Sequence, residues 1–135
     1  MNALLLISGD LFFLLFHTAL TVFNLLGWAW HRTRRLNLIT LLLTGASWFG
    51  LGLVYGIGYC PLTDWHWRIL YRLGHYDLPR SYITYIIDRW TGLHVSAPVV
   101  EAVTVGAFFT ALVLSVVLNI RDRQAGKKAN ENTGS

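Results

Sequence analysis

Apolar residues in this chain gather in long unbroken runs, not in the alternation of a half-buried strand or the single stripe of a soluble helix. Three runs, about Leu11 to Trp30, Leu36 to Tyr59 and Pro98 to Ile120, reach the length of roughly 20 residues that a helix needs to cross hydrocarbon. The stretch ahead of the first, ALLLISGD, has no basic start and no small-residue cleavage site, so it belongs to a retained helix, extended outward or bent near Gly9 and Asp10. Between the second and third runs the pattern changes. From Thr63 to Leu73 the apolar positions Trp65, Ile69, Leu70 and Leu73 recur at helical spacing, with Asp64, Arg68 and Arg72 on the opposite side, as in a helix lying in the membrane interface. After the turn residues Gly74 to Pro79, a second short pattern runs through Tyr82, Ile83, Ile86, Ile87 and Trp90. The pattern therefore predicts an all-α polytopic membrane protein with a single domain over residues 1–120. It has three transmembrane helices (11–30, 36–59, 98–120), two short interfacial helices within an outer segment 60–97, and a polar tail, 121–135. The tail is too poor in apolar residues to order itself by packing.

Charge orients these elements. Only 13% of the residues are charged and 54% are hydrophobic, which is too apolar for an ordinary soluble domain. The formal charge of +4 does not indicate nucleic acid, because the bases fall in two clusters that abut apolar runs. Arg32, Arg34 and Arg35 form one, and Arg121, Arg123, Lys127 and Lys128 the other. Short cytoplasmic loops concentrate such bases, so both clusters are expected inside and the amino terminus outside. The segment 60–97 then lies outside, its four arginines nearly balanced by Asp64, Asp77 and Asp88.

The stretch GIGYCPLTDWHWR, Gly56 to Arg68, reads as a helix stop, a corner and a restart. Pro61 lacks an amide donor and disfavours helix at Cys60, and Thr63 is the natural N-cap of the next helix. Cys60, Pro61 and Thr63 are thus a structural corner. Gly52 and Gly56 have the spacing that lets helix backbones approach, and with Gly45 they form a helix-packing face. As the only cysteine, Cys60 excludes an intramolecular disulfide and leaves the redox compartment open.

A first helix with LFHTALTVFNLLG, a second ending in GYCPLTDW and an aromatic SYITYIID segment together resemble a family of small bacterial membrane proteins of unknown function, DUF2784. The resemblance covers Leu11 to Trp90, and CPLT is its most specific part. It implies the bacterial inner membrane and no known activity. Where this chain has His66, three residues after Thr63, the family pattern usually has Glu, which would complete a capping box.

Ionisable groups within a bilayer are functional candidates by default. Asp10, His17 and Asn24 are seven apart and form one polar stripe on the first helix. Glu101, Thr104, Phe108, Ala111 and Ser115 form a mixed stripe on the third. Asp10, His17, Glu101 and Tyr55 are therefore the candidate catalytic residues, set beneath an aromatic lid of Trp65, Trp67 and Trp90. His31, His66, His75 and His94 fall in loops or at the interface, expected to be solvated; no metal site and no cofactor is predicted from their spacings. The metalloprotease HExxH, the GxSxG elbow, the P-loop and the dinucleotide fingerprint are all missing. The reading favoured by the sequence is a non-enzymatic accessory or structural subunit, partnered by the lipid bilayer and by itself or another membrane protein. The competing one is a membrane-embedded enzyme or a handler of protons, quinone or lipid, built on the outer Asp/His/Glu cluster.

Overall fold

The computed structural model describes residues 2–79 and 81–134; Arg80, one of the four arginines of the middle segment, lies outside them. The described residues form helices and no strand: α1 Ala3–Leu26, α2 Arg34–Gly45, α3 Gly52–Tyr55, α4 Pro61–Arg72, α5 Tyr82–Thr91 and α6 Ala97–Thr133. Three stretches are long and apolar enough to cross a membrane: Ala3–Ala29, His31–Tyr55 and Ala97–Thr133. The chain is all-α, with the polytopic character that the apolar runs predict.

α1 begins before the expected span, at Asn2, whose side chain accepts a hydrogen bond from the Leu4 amide at 3.2 Å. It passes Gly9 and Asp10 without interruption. Its far end is closed by α2. Asn37 is fully buried and donates to two carbonyls in the last turn of α1, that of Phe23 at 2.7 Å, which also accepts from the Gly27 amide, and that of Asn24 at 3.3 Å. Gly27 makes room for this, since a Cβ there would stand 2.8 Å from Asn37 Nδ2.

The second spanning rod changes pitch at a π turn, Ala46–Leu51, between α2 and α3. It ends at Tyr55, and the chain folds back on its last turns. Gly58 N–H donates to the Trp48 carbonyl at 3.0 Å, and Ser47 Oγ donates to that of Tyr59 at 2.8 Å. This return explains two glycines placed on a helix-packing face by the sequence. A Cβ on Gly52 would lie 3.0 Å from the Ile57 Cα, so its close approach is to its own turn. Gly56 is the corner itself, with φ 114°, and among the described residues no neighbouring group stands within 4 Å of its Cβ position. Gly45 does face another helix: Phe108 of α6 is 3.4 Å from its Cβ position, beside the small core of Leu41, Phe108 and Ala111.

α4 starts at Pro61, which is pre-organised for the first helical position, with Cys60 in the N-cap place. Thr63 therefore lies inside the first turn instead of capping it. α4 packs on α1, where Ile69 Cδ1 is 3.1 Å from the Cβ position of Gly9. α5 follows Ser81 and stops at Gly92 in the left-handed conformation, φ 72°.

α6 departs from the expected tail. The helix continues through the polar segment to Thr133, with residues 123–134 exposed. Extending an existing helix gains one backbone bond per residue without repeating the costly nucleus, and Arg, Gln, Ala, Lys and Glu favour it. At its root Asp122 accepts from Arg34 at 2.9 and 3.1 Å, and Asn119 donates to the Arg34 carbonyl at 3.0 Å. The arginine hairpin and the tail bases thus share one end of the molecule, opposite α4 and α5.

Candidate functional site

The heptad stripe of α1 faces protein, as its spacing predicts: Asp10, His17 and Asn24 are each 8% exposed. Asp10 is the hub. Its carboxylate accepts from Arg89 in a fork, Nη1 to Oδ1 at 2.7 Å and Nη2 to Oδ2 at 2.9 Å, the geometry that gives a charge-assisted pair its strength. The same Oδ1 is 2.7 Å from His66 Nε2, and His66 Nδ1 is 2.8 Å from the Tyr82 hydroxyl. Because a carboxylate only accepts, Nε2 carries the imidazole hydrogen and Nδ1 accepts from Tyr82. Arg89 also donates to the Tyr85 hydroxyl.

Three helices converge to build this centre. α1 supplies Asp10. α4 supplies His66, fully buried along with Leu70, one turn on. α5 supplies Tyr82, Tyr85 and Arg89, whose spacing of three and four places them on one helical face. Aromatic rings close around the polar chain: Tyr82 stacks on His17 at 3.9 Å, Phe13 on His66 at 5.9 Å, and Trp67 packs on Tyr82 and Tyr85 at 5.2 and 4.9 Å.

Burial sets the protonation of the groups on α4 and α5. It pushes His66 below the ordinary imidazole value; the hydrogen bond and charge of Asp10 oppose the shift, and the charge of Arg89 adds to it. The Tyr82 and Tyr85 phenols are raised, again chiefly by burial. Arg89 is held above its usual range, first by the hydrogen bond to Asp10. A neutral imidazole between a phenol and a carboxylate has the donor order of a hydrolase triad. Its chemistry here is different. The fork from Arg89 holds the carboxylate, and the Tyr82 hydroxyl, in a residue only 6% exposed, keeps its proton. The arrangement is suited to clamping α4 and α5 onto α1.

Of the residues that the sequence singles out, Asp10 and His17 meet at this centre; Tyr55 and Glu101 stand elsewhere. Tyr55 is 66% exposed and stacks on Tyr59 at 4.6 Å. Glu101 is half-buried on α6 and, among the described residues, has no side-chain hydrogen bond or ion pair. Of the three tryptophans of the lid, Trp67 covers the centre, while Trp65 and Trp90 are more than half exposed. His66 overturns the expectation of a solvated interfacial histidine, because the carboxylate of Asp10 within an apolar helix recruits it. His94, by contrast, is exposed and lies 2.8 Å from Asp88. Among the described residues no three His, Cys, Asp or Glu side chains form a group that could hold a metal ion.

His66, Tyr82 and Arg89 are the members that the sequence reading misses. Two signals were available: an acid inside an apolar run needs a cation, and Tyr82, Tyr85 and Arg89 share a face. No curated protein and no solved structure matches this chain. The profile of one protein family, described as Protein of Unknown function (DUF2784), matches residues 9–120, a span that takes in α1 from Gly9 onward, the arginine cluster after it, the whole polar centre and α6 as far as Ile120. The chain is a member of the DUF2784 family.

Proposed function

We propose that this protein is a non-enzymatic accessory subunit of a membrane complex, with its α4–α5 cap on the outer side of the bacterial inner membrane and its carboxy terminus in the cytoplasm. The observation that carries the reading is the outward face of α6. Ala102, Gly106 and Thr110 are exposed and four residues apart, the spacing at which a second helix can approach, and among the described residues no neighbouring element stands within 4 Å of the Cβ position of Gly106. The spanning rods bury little of themselves in one another: 22%, 11% and 17% of their most apolar windows. The polar centre supports the same view, because Asp10 and His66 are saturated by partners within the fold.

Isolation from native membranes in mild detergent tests this. Wild type is expected to bring down another membrane protein or a second copy, and Gly106→Leu to lose it while remaining folded, because the added side chain meets open space. A wild-type chain that is monomeric and alone would overturn the proposal. One observation favours an alternative, proton or quinone handling: His17 Nδ1 is buried and, among the described residues, has no hydrogen-bond partner. That reading requires a bound pigment or a turnover that His17→Gln abolishes.

A further inference from the structure

At the end of the molecule away from the polar centre, the α1–α2 corner and the root of α6 enclose a basic cleft lined by Arg32, Arg34, Arg35, Asn119, Asp122 and Arg123. Its floor is fixed. Arg34 Nε donates to the Trp28 carbonyl at 2.9 Å, Arg34 Nη1 pairs with Asp122 at 2.9 Å, and Thr33 Oγ1 donates to the Gly27 carbonyl at 2.6 Å. Arg34 thereby neutralises Asp122, the one acid in the lining. The remaining arginines, Arg32, Arg35 and Arg123, are exposed and, among the described residues, have no anionic partner. Three guanidinium groups are thus gathered on a rigid floor with their donors unused.

The cleft also has a position relative to the membrane. Leu36 and Ile120, next to Arg35 and Arg121 in sequence, are 56% and 51% exposed and begin the apolar surfaces of their rods. The cleft therefore sits at the end of the spanning rods, close to where their apolar surfaces begin. This combination fits a molecule with a phosphate head and acyl tails. We propose that the cleft binds the headgroup of an anionic phospholipid, with Arg32, Arg35 and Arg123 donating to phosphate oxygens and Arg34 holding the site open. Guanidinium forks match phosphate geometry, and clustered bases at a membrane surface are attracted to anionic lipid. The proposal is independent of the subunit reading and stands or falls separately.

The probe is phosphatidylglycerol added to the full-length protein in zwitterionic detergent, with retained lipid counted by native mass spectrometry. Wild type is expected to retain phosphatidylglycerol and not phosphatidylcholine. The triple variant Arg32→Gln, Arg35→Gln, Arg123→Gln should lower retention by at least ~10-fold, given the attraction of each base to anionic lipid. Arg68→Gln with Arg72→Gln removes two bases at the opposite end and should leave retention unchanged. All five side chains are exposed, and unchanged far-ultraviolet circular dichroism checks the fold. Equal retention of both lipids, or an unaltered triple variant, overturns the proposal. Inorganic pyrophosphate supplies the second arm. If it displaces phosphatidylglycerol at equal molarity, the site belongs to a soluble phosphate and the lipid assignment is wrong.

Discussion

An aspartate set in an apolar helix is tolerable only if something charged reaches it, and here Arg89 does so from a helix 79 residues along the chain. Arg89→Gln would strand the Asp10 carboxylate in the α1–α4–α5 interface. Breaking a buried pair on one side costs about 3–5 kcal/mol, and the lower end, about 3, is expected because the Arg89 side chain remains 30% exposed. Thermal unfolding in detergent followed by circular dichroism measures this; a loss below about 1 kcal/mol, the range of surface pairs, would show that the clamp is solvated. His66 adds a pH dependence through its contacts with Asp10, Tyr82 and, by charge, Arg89. Its folded value lies below the unfolded one of about 6.5, so the unfolded chain takes up more protons on acidification. The contribution of His66 is therefore complete above about pH 6.5 and is lost as pH falls from there through its folded value. Melting curves from pH 7.5 down to 5 should shift to lower temperature, and His66→Gln should flatten that slope whatever it does to the melting temperature at pH 7.5. The sequence reveals the acid and the heptad stripe of α1. It does not reveal the partners, because His66 and Arg89 meet Asp10 only when α4 and α5 fold over α1, and two short amphipathic helices fit several rotations equally well by apolar pattern alone.

At the scale of elements, the spans are legible because hydrocarbon thickness imposes them, whereas their ends are set by local geometry that composition does not encode. Pro61 starts α4 two residues ahead of the Thr63 cap, since the ring's fixed φ suits the first helical position. The π turn at Ala46–Leu51 and the return of Gly58 to Trp48 are likewise invisible in an apolar run. Two glycines test these joints. Gly27→Ala would press its methyl against Asn37 Nδ2 and Phe23 and expel the side chain that caps α1, at a cost of about 1–3 kcal/mol. Gly52→Ala would meet the Ile57 backbone, which cannot rotate aside, and the same unfolding assay should show a loss of similar size. Gly50→Ala, with nothing within 4 Å, should be neutral. If Gly52→Ala matched Gly50→Ala, the fold-back of Gly56 to Tyr59 would be refuted.

For the whole molecule, the two basic clusters share one end and the Cys60 corner lies at the other. With the basic end inside, Cys60 should react with an impermeant maleimide in intact cells, and Lys128→Cys in a Cys60→Ser background should react only after permeabilisation. The reverse pattern would invert the orientation proposed here. The continuity of α6 is what the sequence conceals most, because the chain turns polar where the helix does not end. Thirty-seven residues in one helix make a rod of about 55 Å, nearly twice the hydrocarbon thickness. Because Asp122 is tied to Arg34, the part of this rod that projects freely is the last eleven residues to Thr133, about 16 Å, which stands clear of the basic end as a polar handle within reach of a second protein.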